Sequence, residues 1–454
     1  MHIHFIAIGG SAMHNLAIAL HKKGFKVTGS DDEIFEPSYS RLEKYGLLPD
    51  KEGWQPELIA ARPDVIILGM HARADNPELI RAKELGLKIY SYPEYLYEQT
   101  KDKTRVVIGG SHGKTTTTSM IMHVLKYHRY AFDYMVGANL EGFETMVGLN
   151  HESKIAVFEG DEYLSSPVDM RPKFHHYHPH VALITGIAWD HINVFPTFEN
   201  YVEQFRIFAG MVEPGGALVY YEGDSYIRQI VSGLGTGTAL YPYREMPFEI
   251  VDNRTFISTS RGNIPLEVFG KHNLQNIAGA KQVCNLLGIV DDQFYEAIST
   301  FKGSARRLEV VARNDKTSVF YDFAHSPSKL KATTVSVKEQ FPGRELIAVM
   351  ELHTFSSLKK EFLPQYNGSM MSADRAYVYF NPHTLEHKRL EPISPGEVLE
   401  AFGGQNLNVF TDADQLFDEL HTIDWAGKNL LIMSSGNFSG KDIRGFGRII
   451  TNTN

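Results

Sequence analysis

Val106-Val107-Ile108-Gly109-Gly110-Ser111-His112-Gly113-Lys114-Thr115-Thr116 joins a β-type apolar run to a glycine-rich turn and to a helix that runs to about Tyr127. Glycines let a backbone curl until its N–H groups converge on a polyphosphate at the helix N-terminus. Lys114 supplies a point charge for β- and γ-phosphates, and the Thr115 hydroxyl suits Mg²⁺. Gly110, Ser111, His112, Gly113 and Thr116 complete the candidate nucleotide loop. A full Walker pattern needs glycine at position 108, which is Ile108 here, so the match is to the shorter G-x-x-G-K-T.

Strand and helix signals alternate outward from this loop. Upstream, Ile3 to Ile8, Lys26 to Gly29, Val65 to Leu68 and Lys88 to Tyr90 read as strands. Ala12 to Lys22 and Glu78 to Leu85 read as helices. Downstream, Ile155 to Phe158, Val181 to Thr185 and Ala217 to Tyr221 are strands, and Tyr201 to Ala209 is helical. A β-rich stretch, Thr238 to Phe269, precedes a helix from Asn273 to Leu287. The rhythm restarts near Arg306, with Ser318 to Tyr321, Leu346 to Met350 and Leu430 to Met433 as buried-type strands. This pattern predicts α/β architecture, with parallel sheets covered by helices, in three domains spanning 1–103, 104–304 and 305–454.

A chain of 454 residues exceeds one hydrophobic core. Its net charge of −9 argues against gripping a nucleic-acid backbone, so no nucleic-acid partner is expected. No run of 18 apolar residues is present, and the start lacks a basic leader, so neither a membrane span nor a signal peptide is expected. The single cysteine, Cys284, excludes an intrachain disulfide and fits a reducing cytoplasm. It falls on the apolar face Ala278 to Leu287 and is expected in the core.

Further motifs follow in order: Glu159-Gly160-Asp161-Glu162, Trp189-Asp190-His191, Gly270-Lys271-His272-Asn273 with Asn276, Arg306-Arg307-Leu308-Glu309, and Asp322-Phe323-Ala324-His325-Ser326-Pro327. With the shortened phosphate loop, the ordered set resembles the Mur ligases. The resemblance implies an N-terminal Rossmann-like UDP-binding domain, a central P-loop ATPase domain and a C-terminal Rossmann-like domain. It implies a cytoplasmic ligase, monomeric or weakly dimeric, that uses ATP and Mg²⁺ to turn a carboxylate into an acyl phosphate for attack by an amine. Such chemistry needs cations and positioning more than a protein nucleophile.

By the same likeness, Lys114 and Arg307 share the γ-phosphate charge, and Thr115, Glu159 and His191 bind Mg²⁺. Asn273 and Asn276 hold the nucleotide, and Asp322 binds its ribose or positions Arg307, leaving Arg306 as a surface partner. Gly9, Gly10, Ser11, Ala12 and Met13 cradle the UDP diphosphate. Asp31 binds ribose, and Arg73 and Asn76 contact uridine or phosphate. Without the resemblance, His191 reads as a structural histidine, because Mg²⁺ prefers oxygen. Likewise Asn273 and Asn276 read as a solvated helix face, and Asp31 reads equally as a cap or turn residue.

The segment with Asp161-Glu162-Tyr163, Asp169-Met170-Arg171-Pro172-Lys173-Phe174 and Tyr177-His178-Pro179 resembles family members that join UDP-N-acetylmuramate to a preformed murein tripeptide. Alanine-adding members carry D-E-S-D there. The tripeptide is therefore the expected acceptor, with L-alanine the alternative, and His325, Lys359 and Lys360 are the acceptor-side candidates. Two departures stand out: Ser326 in the H-S-P motif, and Glu351-Leu352-His353, which lacks an arginine expected near peptide carboxylates. A nicotinamide-dependent reductase is disfavoured by Ala12 in place of the third fingerprint glycine. A UDP-sugar sensor is disfavoured by the intact Lys114, Glu159, His191 and Arg307.

Overall fold

The computed structural model describes residues 1–189, 194–404 and 406–452. Packing divides the chain into two units, Met1–Glu245 with Gln275–Ile298, and Met246–Leu274 with Ser299–Asn454. No helix among the described residues is long and apolar enough to cross a membrane.

The first unit holds two main sheets. The smaller is parallel, in the order Lys26–Ser30, His2–Ile6, Val65–Leu68, Ile89–Ser91. All of Val65–Leu68 is buried, as a parallel strand covered on both faces must be. Helix Ser11–Lys22 follows Gly9-Gly10 directly and buries Met13 through Leu20. The larger sheet runs Ala239–Tyr243, Ala217–Tyr221, Val181–Ile184, Thr104–Gly109, Ile155–Glu159, Phe132–Met135, Val147–Gly148. It is parallel except for the edge strand Val147–Gly148. Its central strand, Thr104–Gly109, pairs with Val181–Ile184 on one side and Ile155–Glu159 on the other. Three loops therefore leave the same carboxyl edge, where open α/β sheets bind ligands.

Arg105, only 2% exposed, lies at the start of that central strand. Its guanidinium donates to the carbonyls of Thr100, Lys101 and Lys103, just past helix Tyr92–Thr100, and to those of Tyr177 and His178. Helix-end carbonyls need such donors. Nearby, the buried Lys103 ammonium donates to Asp133 at 2.6 Å, and to the Asn150 carbonyl and the Ser153 hydroxyl at 2.8 Å each. The chain therefore passes Lys103 through a buried polar joint.

In the second unit six strands run Glu309–Arg313, Ser318–Asp322, Lys428–Met433, Glu345–Leu352, Arg375–Phe380, Leu407–Phe410, parallel apart from the first pair. The β-rich stretch read from sequence divides. Ala239–Tyr243 joins the large sheet of the first unit, whereas Phe248–Val251, Arg254–Thr259 and Gly262–Pro265 form an antiparallel sheet within the second. Gln340 ties that small sheet down, accepting from Thr255 and donating to the Asn253 carbonyl, both at 2.7 Å. Cys284 is fully buried in the first unit.

Replacing Arg105 with Met keeps the apolar stem and leaves buried carbonyls without a donor. A loss of about 3–5 kcal/mol is expected from breaking a buried charged network of this kind, read from the shift of a denaturant-unfolding curve. An unchanged midpoint would show that the joint contributes nothing.

Candidate active site

Gly110 and Gly113 shape the phosphate loop. Gly110 has φ +134°, and a Cβ there would strike the Thr185 hydroxyl and come within 3.0 Å of the Thr185 nitrogen. Gly113 has φ +83°, and a Cβ would strike the Asn276 amide oxygen. The neighbouring strand end pins the rest of the loop. Ser111 N–H donates to the Gly186 carbonyl at 2.9 Å, the Ser111 hydroxyl accepts from Ala188 N–H at 2.8 Å, and the Thr185 hydroxyl donates to the His112 carbonyl. The His112 ring lies against its own turn, with Nδ1 2.8 Å from the Ser111 carbonyl. Thr116 is buried in the first turn of helix Lys114–Tyr127.

Charge concentrates around Lys114. Its ammonium donates to the Gly110 carbonyl at 2.5 Å and to Glu162 Oε2 at 2.6 Å. Glu162 is fully buried, and its other oxygen accepts from the Tyr201 hydroxyl at 2.9 Å. The Thr115 hydroxyl donates to Glu159 Oε1 at 2.8 Å, while Glu159 Oε2 accepts from Gly137 N–H at 2.7 Å. Asp161 accepts from the Lys173 ammonium at 2.6 Å. Burial pushes the Asp161 carboxyl up, but Lys173 and Lys114 outweigh it and hold the group at about 2. Burial also disfavours the Lys114 ammonium, yet Glu162, Asp161 and Glu159 raise it above its ordinary value. Three carboxylates thus face two ammonium groups.

Glu162 as the lysine's partner, Tyr201, Thr185, Gly137 and Lys173 are contacts that the site reading from sequence did not include. Glu162 sits in the quoted E-x-D-E motif, which was a usable signal. Thr185 and Gly137 carry none, because only sheet order brings Thr185 to the loop and Gly137 to Glu159. Asp190 and His191 lie outside the described residues.

At the smaller sheet, Asp31 Oδ2 accepts from Gly9 N–H at 2.6 Å, so the acidic residue after the second strand holds the glycine turn. Burial, followed by neighbouring Asp32, pushes the Asp31 carboxyl up to about 7. Ser11 and Ala12 are exposed at the helix start, Gly10 precedes them, and Met13 is buried. Arg73 is exposed. Asn76 caps helix Pro77–Glu84, its side-chain oxygen accepting from Glu78 and Leu79 N–H at 2.9 and 3.1 Å.

Asn273 and Asn276 are both buried rather than solvated. Asn276 stands by Gly113 in the first unit, and Asn273, in the second, donates to the Phe269 carbonyl at 2.8 Å. Within the second unit, Asp322 accepts from Ala324 N–H at 2.6 Å and from Leu308 N–H, fixing the turn that carries Arg307. The Arg307 guanidinium lies 5.0 Å from the Phe323 ring. Arg306, read from the family likeness as a surface partner, is instead tied into the second unit. Its guanidinium donates to the carbonyls of Ser434 and Gly436 at 2.7 Å each, and lies 4.7 Å from the Tyr321 ring and 5.1 Å from that of Phe323. His325 Nδ1 is 3.0 Å from the Phe323 carbonyl. Exposed Lys359 lies 4.9 Å from the Phe355 ring, and Lys360 pairs with Glu397.

Family descriptions match in series: "Mur ligase family, catalytic domain" over residues 2–104, "Mur ligase middle domain" over 108–284, and "Mur ligase, glutamate ligase domain" over 306–436. The UDP-N-acetylmuramate–L-alanine ligase of Caldicellulosiruptor bescii is 32% identical over 392 residues, covering 82% of each chain. Among solved structures, UDP-N-acetylmuramate-alanine ligase MurC from Thermotoga maritima aligns at TM-score 0.73 and 21% identity, over 100% of this chain and 99% of that one. The UDP-N-acetylmuramate:L-alanyl-γ-D-glutamyl-meso-diaminopimelate ligase of Neisseria meningitidis aligns at TM-score 0.60 and 28% identity, over 66% of this chain and 98% of that one. With its three domains in family order and a lysine-bearing phosphate loop at the carboxyl edge of the central sheet, the chain belongs to the Mur ligase family, the ATP-dependent, ADP-forming ligases of peptidoglycan metabolism.

Proposed function

We propose that the chain joins UDP-N-acetylmuramate to L-alanine, converting ATP to ADP and phosphate. The observation that carries this choice of acceptor is the similarity, over four-fifths of both chains, to a relative named for that reaction. In the proposed reaction a carboxylate oxygen of the sugar's lactyl group attacks the γ-phosphorus, and the bond to ADP breaks. The alanine amine then attacks the acyl carbon and loses a proton as phosphate leaves.

In this reading the loop Gly110–Thr116 presents N–H groups to the polyphosphate, and Lys114 exchanges Glu162 for phosphate oxygens. Arg307 is the second cation for the transferred group, on a turn kept in shape by Asp322, and Asn273 and Asn276 serve the nucleotide. Thr115 and Glu159, hydrogen-bonded at 2.8 Å beside the loop, are hard oxygen donors that fit Mg²⁺, with His191 the third candidate from the sequence. Mg²⁺ bound there supplies electrostatic stabilisation of the phosphoryl oxygens. The excess of carboxylates around Lys114 makes such a cation necessary for an anionic nucleotide. Gly9, Gly10, Ser11, Ala12 and Met13 would receive the diphosphate at a helix N-terminus, with Asp31 on the ribose and Arg73 on the uridine side. Asn76, whose side-chain oxygen caps helix Pro77–Glu84, would contact uridine or phosphate as well. ATP supply places the reaction in the cytoplasm.

The murein tripeptide is the second reading. It rests on the segment Asp161 to Pro179 and on similarity to the Neisseria enzyme. Against it, Leu352-His353 replaces the expected arginine and Lys360 is already matched by Glu397. His325 and Lys359 remain the acceptor-side candidates.

Both readings are tested by offering L-alanine and the tripeptide separately with ATP, Mg²⁺ and UDP-N-acetylmuramate, then identifying products by mass. A kcat/KM for L-alanine above that for the tripeptide is expected. The reverse by about tenfold or more, a difference of about 1.4 kcal/mol, would replace the first reading with the second.

The role of Lys114 has its own test. A single Lys114→Ala change strands a buried Glu162 carboxylate and destabilises the chain for reasons unrelated to catalysis. The paired variant Lys114→Met/Glu162→Gln removes both charges together. It is expected to melt near the wild-type temperature while kcat falls by about 10²-fold or more. Activity within a few-fold of wild type would remove Lys114 from the phosphoryl site.

A further inference from the structure

Away from the phosphate loop, Glu94, Asp169 and His176 bring one ligand atom each to within 4.8 Å of one another. They come from helix Tyr92–Thr100, strand Asp169–Pro172 and the 3₁₀ turn Lys173–His176. His176 is 5% exposed, and its Nε2 is buried without a hydrogen-bond partner, whereas adjacent His175 bonds the Gln204 carbonyl at 2.9 Å. A buried imidazole nitrogen facing carboxylates and lacking a hydrogen bond is costly unless something uses it. His176 Nε2 stands 3.5 Å from Asp169 Oδ2. Two donors about 2.1 Å from one tetrahedral ion are separated by roughly that distance.

The carboxylates already attract a cation. Arg171 approaches Asp169 Oδ2 at 2.6 Å and Glu94 Oε1 at 3.6 Å. Glu94 Oε2 is engaged by Ser91 in a capping box, which leaves Oε1 turned to the cluster. The guanidinium satisfies one carboxylate well, reaches the second poorly and leaves His176 Nε2 without a hydrogen bond. Its side chain is 59% exposed, so it can swing out to solvent. Burial, then Arg171, lowers the His176 pKa.

We propose that Glu94, Asp169 and His176 bind one divalent transition-metal ion, of which Zn²⁺ is the best fit, with Arg171 as the cation it displaces. One imidazole and two carboxylates form a mixed set suited to Zn²⁺ or Co²⁺ rather than to Mg²⁺. The turn that carries His176 also carries Lys173, so a bound ion fixes the element that holds Asp161 in the charge cluster around Lys114.

The full chain, in excess Mg²⁺ to occupy hard-oxygen sites, is titrated with Co²⁺ and followed by visible absorption, with Zn²⁺ as competitor. One saturable equivalent is expected. Asp169→Asn should weaken it by about 10-fold or more, as loss of a ligand or its support does. Arg171→Ala should tighten it by about 10-fold through loss of a charge-assisted competitor. Thermal melts in chelator show whether each variant is folded. Absence of saturable binding in the wild type, or binding indifferent to Asp169→Asn in a folded variant, overturns the proposal.

Discussion

The ion pair between Lys114 and Glu162 is the constraint around which the phosphate loop is organised. It closes a ring: Glu162 accepts from Tyr201, Tyr201 shares a hydrogen bond with Ser111 at 2.9 Å, and Ser111 lies in the loop that ends at Lys114. The loop geometry is therefore fixed by its own lysine's counter-ion. Isolating that ammonium in a half-buried turn would be costly, and so would isolating the fully buried carboxylate. Burial disfavours the Lys114 ammonium, and Glu162, Asp161 and Glu159 more than offset it. In the proposed reaction, phosphate would replace a carboxylate that the fold already supplies.

A second chain of contacts links the two sheets of the first unit. Glu144 receives Lys22, Lys44 and Tyr45, which together hold its carboxyl at about 2. Met146 N–H donates to the Asn15 side chain at 2.9 Å. Lys22 and Asn15 belong to the helix that starts at the Gly9-Gly10 turn, and the segment containing Glu144 begins at Gly137, whose N–H holds Glu159. Exposed ion pairs of this kind add little stability. Their consequence is alignment, since they tie the helix after the Gly9-Gly10 turn to the segment whose Gly137 N–H holds Glu159.

Local signals made much of this legible. Val65–Leu68, Lys114–Tyr127 and Ala217–Tyr221 fall where apolar run and turn chemistry placed them. Helix Tyr92–Thr100 escaped a periodicity reading because it opens on Tyr-Pro and is rich in tyrosine, although Ser91 and Glu94 form the capping box that could have revealed it. Asn76-Pro77-Glu78 likewise carries the cap signal that the structure uses. What sequence could not supply is adjacency. Thr185 and Tyr201 meet the loop because strand Thr104–Gly109 lies beside Val181–Ile184, and Gly137 meets Glu159 because Phe132–Met135 pairs with Ile155–Glu159.

The acceptor is less legible for a chemical reason. L-alanine and the tripeptide present the same alanyl amine to the same acyl phosphate, so discrimination lies wholly in contacts beyond that residue. In the second unit the segment after strand Lys428–Met433 is held from beneath, with buried Glu351 accepting from the Ser434 hydroxyl and from Phe438 N–H at 3.0 Å, and Arg306 bonding two of its carbonyls. A Cβ at Gly436 would meet Glu351 and His353 at 2.7 Å, so this backbone has no room to readjust around a larger residue. Kinship at the level of fold does not by itself select the amine.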